Sequence, residues 1–490
     1  MPLDSVSPAR PWRLAWLLAG CVTTLPTAAF DLRDPFADLA AIPALNETGR
    51  ACPPTLPARA LNLADVIDTA LCRNPQTASA WATARARAAD VGVARSAYLP
   101  DLSATAGVTE RLRGDSTSSG SGFDTGGTGS SGSSSSDTRI TASATLSYVL
   151  FDFGARGAAL DGARALLDAA RATRSATLQS VYLDAVTSYY GWVSAEGALE
   201  AAHEAERAAK ESLDAATIRE QVGTATRADR LQAQTALAQS LLTRVQAEGA
   251  QRTARGSLAN AMGLGANTRL ELAPPPMVTP AADFTEQLDP LVVAAVASRP
   301  DLVAAAANLR SAESDIDSAR ASGRPTLSAN VTQNYTDTGP RERETTSGGL
   351  SLNVPIFSGF ETTYRVRGAE ARLEASRAEL DRLRNQATLE VFQAHSELIT
   401  QTQSVFTAQA LVTSAQESEG VARGRYEAGV GTILDLINAQ SSAADARRQL
   451  VLARSNWAAA RTRLAQAVGV IDTARDPQYD AASPATGAAR

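Results

Sequence analysis

Ile140-Thr-Ala-Ser-Ala-Thr-Leu-Ser-Tyr148 reads with a period of two: Ile140, Ala142, Ala144, Leu146 and Tyr148 alternate with Thr141, Ser143, Thr145 and Ser147. Successive side chains of a strand point to opposite faces, so this segment carries one apolar face and one lined by hydroxyls. Three more segments share the pattern: Leu102-Ser-Ala-Thr-Ala-Gly-Val108, Leu327-Ser-Ala-Asn-Val-Thr332 and Leu350-Ser-Leu-Asn-Val-Pro-Ile356. About ten residues with lipid on one side and water on the other suit a strand of a membrane barrel. Any one of these segments alone would equally suit a half-buried strand of a soluble sheet. Four of them in a chain with no globular core to cover them favour the barrel. Four strands cannot close one, because the smallest membrane barrels use eight, and lipid forbids open edges. The chain is therefore expected to oligomerise.

The strands come as two equivalent pairs because the chain is internally duplicated. Asn74-Pro75, Leu99-Pro100 and Leu102-Ser103 recur 225 residues later as Arg299-Pro300, Arg324-Pro325 and Leu327-Ser328. Phe151, Gly223, Asp229, Ala233-Gln234 and Gly263 recur 206 residues later as Phe357, Gly429, Asp435, Ala439-Gln440 and Gly469. The difference of 19 residues (225 less 206) is an insertion in the first copy, between Pro100 and Phe151. The Ser/Gly tract Gly114–Asp137 lies there and reads as a flexible, solvated loop, with a short charged twin at Asp337–Ser347. So long a period means two copies of one large unit, not a solenoid. The resulting division is a signal peptide at 1–29, an N-terminal extension at 30–60, a first repeat at 61–267, a Pro-rich linker at 268–289, a second repeat at 290–470 and a C-terminal tail at 471–490 that reads as disordered.

Each copy is expected to run helix, strand, strand, helix, helix. The opening helices, Leu63–Tyr98 and Pro290–Gly323, are each stopped by the proline that follows. Long helical stretches follow the strand pairs, Ala155–Val222 and Glu361–Ala428; at 1.5 Å per residue each would reach about 100 Å, long enough to cross a compartment. In the second, Val391, Leu398, Val405 and Val412 recur at sevens beside Phe392, Ile399 and Phe406. The first shows the same spacing in Trp192 with Leu199 and Val186 with Val193. A seven-residue period implies left-handed supercoiling, and two adjacent seams imply neighbours on two sides, as in a helical tube. The chain then turns at Val222-Gly-Thr-Ala-Thr-Arg-Ala-Asp229 and Ala428-Gly-Val-Gly-Thr-Ile-Leu-Asp435 into return helices Arg227–Met262 and Thr432–Val468.

Composition narrows the function. Of the 490 residues 5% are aromatic and the net charge is −6, which gives no reason to expect a nucleic-acid partner. Lys210 is the only lysine. Arg10 and Arg13 precede the apolar run Leu14–Leu25, which ends at Thr27-Ala28-Ala29, a small-residue cleavage site of an export signal. Leu18-Ala19-Gly20-Cys21 is a rival reading, a lipoprotein box with Cys21 acylated. In an exported chain Cys52 and Cys72 read as a disulfide rather than a metal site, since two thiols make a poor cage; two free buried thiols are the alternative. The longest apolar helical candidate, Leu291–Leu309, is broken by Arg299-Pro300-Asp301 and falls short of a membrane span. His203 and His395 are not repeat partners and have no metal-ligand spacing around them. Gly127-Thr-Gly-Ser-Ser-Gly132 matches a phosphate-loop pattern only by low complexity, with no helix after it. No nucleophile–base arrangement is visible, so neither an enzyme nor a cofactor is expected.

The duplicated Gly-x-x-x-x-x-Asp tips (Gly223 to Asp229, Gly429 to Asp435), each followed by Ala-Gln, resemble those of the TolC-like outer-membrane efflux protein family. The strand-to-helix junctions Leu150-Phe-Asp-Phe-Gly154 and Val354-Pro-Ile-Phe-Ser-Gly359 fit the same family, and the resemblance covers about residues 61 to 470. Within it, Cys52 and Leu71-Cys-Arg-Asn-Pro-Gln-Thr77 are similar to the type I protein-secretion branch. The resemblance implies a mainly α, internally duplicated chain that forms a homotrimer, with twelve strands in a shared β-barrel in the outer-membrane lipid and a helical tube crossing the periplasm. It implies as partners a periplasmic adaptor, an inner-membrane ABC transporter and a secreted protein cargo. The adaptor-docking tips would be Gly223, Thr224, Arg227, Gly429, Gly431 and Thr432. Asp435 would make a ring of three carboxylates at the periplasmic aperture, attracting cations as acidic rings do in channels. Where relatives often carry a second aspartate one turn on, this chain has Asn438, so the second ring would be neutral. Asp229 is the twin of Asp435, with Arg227 placed to tie tip to tip by an ion pair; an ordinary first-turn role on the helix dipole is the alternative for both aspartates. A multidrug efflux duct is the rival within this family, and an exported coiled-coil scaffold or adhesin the rival outside it.

Overall fold

The computed structural model describes residues 59–111, 137–273, 275, 280, 287–338 and 341–471, all within one compact unit. The signal peptide, Cys21, Cys52 and nearly all of the C-terminal tail lie outside the described residues. The order of elements is α1 (Leu63–Arg73), α2 (Pro75–Ser96), β1 (Asp101–Arg111), β2 (Asp137–Phe151), α3 (Ala155–Gln221), α4 (Arg227–Ala261), α5 (Leu288–Ser298), α6 (Pro300–Ala321), β3 (Thr326–Asp337), β4 (Glu342–Asn353), α7 (Glu361–Glu427) and α8 (Ile433–Val468). The insertion of the first copy falls in 112–136, outside the described residues; the twin connection is only 338–341.

The four strands form one antiparallel sheet in the order β1-β2-β3-β4. Its register obeys the duplication: Leu102 faces Leu146 in the first hairpin, and their repeat twins Leu327 and Leu352 face each other in the second. The two hairpins also pair with each other through β2 and β3, with Leu146 opposite Val331 and one register shift between Val149 and Phe151. Strand β4 ends at Asn353, three residues short of the expected Ile356. Pro355 brings no N–H to a ladder, and among the described residues no strand lies on that edge.

The single opening helix expected of each copy is two helices. The break falls at Asn74-Pro75 and at Arg299-Pro300, and in the second copy it bends the chain by 44°. Proline forces the preceding residue out of the α region, and both residues take extended ψ values, 128° for Asn74 and 125° for Arg299. Each break seats against the end of a return helix. Asn74 donates from Nδ2 to the carbonyl of Ala261 at 3.1 Å, and Arg299 donates from Nη1 to the carbonyl of Ala467 at 3.3 Å. Ala261 and Ala467 are repeat twins, so two unlike side chains make the same bond. Arg299 also holds Asp301 and Glu390, each at 2.7 Å, and ties the second break to α7. The backbone fits here because the return helices end in glycines with positive φ, 71° at Gly263 and 77° at Gly469. A Cβ on Gly263 would stand 2.4 Å from the carbonyl oxygen of Arg73.

Helices α3 and α7, 67 residues each and about 100 Å long, are the spine. The heptad residues Val391, Leu398, Val405 and Val412 are buried against α8 and α5, in a cluster with Leu450, Trp457 and Leu464. The first copy packs α1 and the end of α4 on α3 through Val66, Val181, Val186, Tyr189, Trp192, Leu258 and Met262. The linker is part of this packing: Leu61 bonds both to Glu271 and to Ala273, and the Tyr189 hydroxyl donates to the Ala273 carbonyl at 2.6 Å. Cys72, on α1, is disulfide-bonded. Among the described residues no single helix is long and apolar enough to cross a membrane.

Gly263→Ala is expected to lower the thermal midpoint of the detergent-solubilised protein, read by far-UV circular dichroism, because a backbone clash must be relieved. Gly92→Ala is the control. A Cβ there meets nothing within 4 Å, and the change should hold or raise the midpoint by favouring helix.

Candidate functional site

Two features are the candidates for function: the faces of the sheet and the helical tips at the far end of α3 and α7. On one face of the sheet, residues directly opposite one another form complete polar rungs. Ser103, Thr145, Thr332 and Ser347 make one rung, and Thr105, Ser143, Asn334 and Thr345 the next. Thr105 and Ser143 share a hydrogen bond of 2.7 Å, Thr145 and Thr332 one of 3.2 Å. Neither rung has a charge. Arg343 and Arg139 enter this face only towards the hairpin loops. The opposite face carries Leu102, Leu146, Val331, Leu350 and Leu352, and the edge residues Leu102 and Leu350 are 68% and 73% exposed. This apolar band does not reach the loop end of the second hairpin, where Gln333 bonds Glu344 at 2.5 Å and also Thr346.

Where strand becomes helix, both copies pass through two successive left-handed residues: Phe153 and Gly154 in the first (φ 53° and 93°), Gly359 and Phe360 in the second (64° and 65°). Glycine sits at opposite places of the twin turns, so a phenylalanine occupies αL in each, a strain of about 1–2 kcal/mol on general grounds. The rings pack edge-on, Phe151 on Phe153 at 4.7 Å and Phe357 on Phe360 at 5.6 Å. Exposed aromatic rings at the end of an apolar band have the placement of a membrane-barrel girdle. In the first copy a largely buried pair, Asp152 and Arg156 at 2.9 Å, locks the turn, and Arg156 reaches the Val149 carbonyl at 2.8 Å.

Both tips are built alike. Gly223 (φ 81°) and Gly429 (φ 77°) end the long helices, with Thr224 N–H bonded to the Arg219 carbonyl at 2.8 Å and Val430 N–H to that of Arg425 at 3.0 Å. Gly431 stands close to Arg425 and Tyr426, and its twin position is held by Ala225. Each return helix then opens with a capping box: Asp229 N–H donates to the Thr226 hydroxyl at 3.2 Å, and Asp435 N–H to that of Thr432 at 3.1 Å. The carboxylates close the boxes by accepting from the Thr226 and Thr432 N–H groups at 2.8 and 3.3 Å. The aspartates therefore have the first-turn structural role whatever else they do. Thr226 escaped the sequence reading, although the spacing Thr-x-x-Asp was its signal.

The structure brings the two tips together. Ala216 and Ala233 of the first copy pack with Tyr426, Ile433 and Leu436 of the second. Arg219 lies over the Tyr426 ring at 4.3 Å and donates to the Glu427 carbonyl at 2.9 Å. Arg227 makes no ion pair among the described residues, so the expected tie from tip to tip is made by Arg219 and not by Arg227; Arg230 pairs with Glu220 at 2.6 Å within the first tip. Asp435 and Asn438 are exposed on successive turns of α8, and Asp229 is half-buried. Hydrogen bonds from the Thr432 hydroxyl and N–H, with Arg425 nearby, hold the Asp435 carboxyl below the usual range. Further up, Glu419 binds Arg423 and Arg447, Arg447 reaches Glu204 at 3.4 Å, and Ser212 meets Gln440, tying α3 to both helices of the second copy. Among the described residues no cluster of His, Cys, Asp and Glu has the arrangement to hold a metal.

The chain leaves its helical edges bare. Phe392, Ile399 and Phe406 on α7 are 52%, 48% and 40% exposed, and on α4, at the opposite edge, Leu231, Leu242 and Val245 are 45%, 50% and 51% exposed. The second seam read in the sequence is thus present and unpartnered within one chain.

Because the Asp435 carboxyl is held low, its contribution to the tip is present above the ordinary carboxylate value, about pH 4, and lost as acidification protonates it. Amide-exchange protection of Leu436 and Ile437 should accordingly fall below that pH. Thr432→Ala should weaken the tip helix by about 1 kcal/mol at neutral pH, read by the same protection.

The outer membrane efflux protein model matches residues 66–264 and 291–470, one match per repeat. Protein CyaE of Bordetella pertussis is 33% identical over 410 residues, 82% of each chain. The alkaline protease secretion protein AprF of Pseudomonas aeruginosa is 32% identical over 131 residues, 27% of each. The solved CmeC outer membrane channel of Campylobacter jejuni superposes with a TM-score of 0.72 at 19% identity, over 86% of this chain and 88% of that one. The fold is that of these channels: a mainly helical chain giving four strands to a membrane barrel shared by three copies, with its helices forming a tube on the periplasmic side. The rungs of hydroxyls, the exposed apolar band and the duplicated tips are thus parts of one channel wall, and the chain belongs to the outer membrane efflux protein family.

Proposed function

We propose that three copies of this chain form the exit duct of a type I secretion machine. In this reading the duct receives a protein cargo from an inner-membrane ABC transporter through a periplasmic adaptor. The observation that carries it is the hydroxyl-lined face of the sheet. When three sheets close with their apolar bands in lipid, this face becomes the lumen, and its central rungs hold no charged side chain. Such a wall offers weak, uniform hydrogen bonding to whatever passes, and selection then falls to the partners. Similarity over most of the chain to CyaE, and over part of it to a protein named for alkaline protease secretion, supports protein cargo over drugs. The chain itself supplies no energy and needs no cofactor.

The tips are the proposed contact with the adaptor, through Gly223, Thr224 and Arg227 of the first copy and Gly429, Gly431 and Thr432 of the second. Asp435, exposed and kept ionised by its capping bonds, is the proposed ring of three carboxylates at the periplasmic mouth, with Asn438 a neutral ring one turn further and Asp229 beside it. Loss of the gene should remove one large protein from the culture medium and leave susceptibility to detergents and antibiotics unchanged. Hypersensitivity with intact secretion would make this a drug-efflux duct, and no change in either would return weight to a scaffold. In single-channel recordings under a salt gradient, Asp435→Asn should lower the cation preference without altering trimer mass; an unmoved reversal potential refutes the ring.

A further inference from the structure

Among the described residues of one chain, β1 and β4 each present an unpaired edge, and every backbone group left bare in hydrocarbon costs several kcal/mol. The trimer must pair β4 of one copy with β1 of the next, and the chain contains a template for that seam. Strand β2 ends the first repeat's hairpin and β3 begins the second's, so the β2–β3 ladder joins one repeat to the next, as the seam between copies also does. We propose that the seam repeats the β2–β3 register, making the barrel a ring of six equivalent hairpins.

The pairing follows residue by residue. Ala144 faces Gln333, Thr145 faces Thr332, Leu146 faces Val331, Ser147 faces Asn330 and Tyr148 faces Ala329. Moving the β2 members forward by 206 and the β3 members back by 225 gives the seam. Leu350 lies opposite Val108 of the partner subunit, Ser351 opposite Gly107 of the partner subunit and Leu352 opposite Ala106 of the partner subunit. Asn353 and Val354 follow, opposite Thr105 of the partner subunit and Ala104 of the partner subunit. This register sorts the faces: Leu350, Leu352 and Val354 meet apolar residues on the lipid side, while Ser351 and Asn353 meet small or hydroxyl-bearing ones in the lumen. A slip of one residue would turn each apolar side chain to the wrong face.

The β2–β3 ladder shifts register between Val149 and Phe151, with Phe151 opposite Leu327, so Leu150 is its bulge. Its twin is Ile356, 93% exposed in the chain by itself. In the seam β4 therefore runs past Asn353, bulges at Ile356 and sets Phe357 opposite Leu102 of the partner subunit. Pro355 falls beside the bulge, one of the few places a sheet tolerates proline. The seam thus accounts for the strand residues that the lone chain leaves out of β4.

Directly opposite Cβ atoms lie about 4.5–5.5 Å apart and those displaced by two residues about 7–8 Å, so cysteine pairs can read the register. In full-length protein in outer membranes, Ser351→Cys with Gly107→Cys should give disulfide-linked trimers on mild oxidation, seen on non-reducing denaturing gels. The yield should be several-fold above that of Ser351→Cys with Thr105→Cys or with Thr109→Cys, the registers two residues to either side. Asn353→Cys with Thr105→Cys is the second matched pair if the glycine site does not accept a side chain. A displaced pair that links better than the matched ones overturns the register. So does native trimer migration without linkage in any pair above single-cysteine controls. Loss of the trimer itself in the wild-type chain would overturn the shared barrel, a separate result.

Discussion

Hydrocarbon offers a peptide group no partner for its N–H or C=O, and this constraint shapes every level of the protein. It forbids a four-stranded sheet from standing alone in lipid, so a chain that contributes four strands must share them. Sharing requires repetition of the chain, and the three-fold repetition of this fold, acting on an internally duplicated chain, sets six similar units around one axis. The helices follow, because elements that continue from a closed ring of strands inherit its spacing and pack side by side as a tube. The bare apolar edges of α4 and α7 are the helical counterpart of the bare edges of β1 and β4.

Duplication preserved geometry more faithfully than chemistry. Asn74 and Arg299 share neither charge nor size, yet both donate to twin carbonyls at the ends of twin helices. Phe153-Gly154 and Gly359-Phe360 exchange the place of glycine while keeping both residues left-handed. At the membrane boundary the first copy uses the Asp152–Arg156 pair, and the second sets Gly323 so close to Thr362 that a Cβ would stand 2.7 Å from its methyl. What the two copies conserve is the path of the backbone. Where that path needs a positive φ or a close approach the residue type is constrained, and elsewhere it has drifted.

The tips show how one residue can serve two levels of organisation. Asp229 and Asp435 complete capping boxes that start the return helices, a local task set by the orphan N–H groups of any helix. The same bonds favour the ionised form of the Asp435 carboxyl in the first turn of the tip helix. A carboxylate ionised at neutral pH is what an electrostatic filter requires, so the structural role is compatible with the proposed one.

The alternation of Ile140–Tyr148, the twin offsets and the seven-residue seam determined most of this protein without coordinates. Side-chain period fixes which face of a strand is apolar, duplication fixes how many such strands there are, and lipid fixes that they must be shared. The helical spans were legible to within a residue or two because glycine-bearing tips punctuate them. The opening helices were not, since a proline is tolerated at the first turn of a helix and the sequence left open a helix continuing through it. Only the tertiary structure decided that Asn74 and Arg299 find twin carbonyls, and that Arg219 rather than Arg227 reaches from one tip to the other. It also decided that β2 and β3 join the two hairpins. Those outcomes depend on which residues distant in the chain come within a few ångströms of each other, and a one-dimensional pattern carries period and spacing but not proximity.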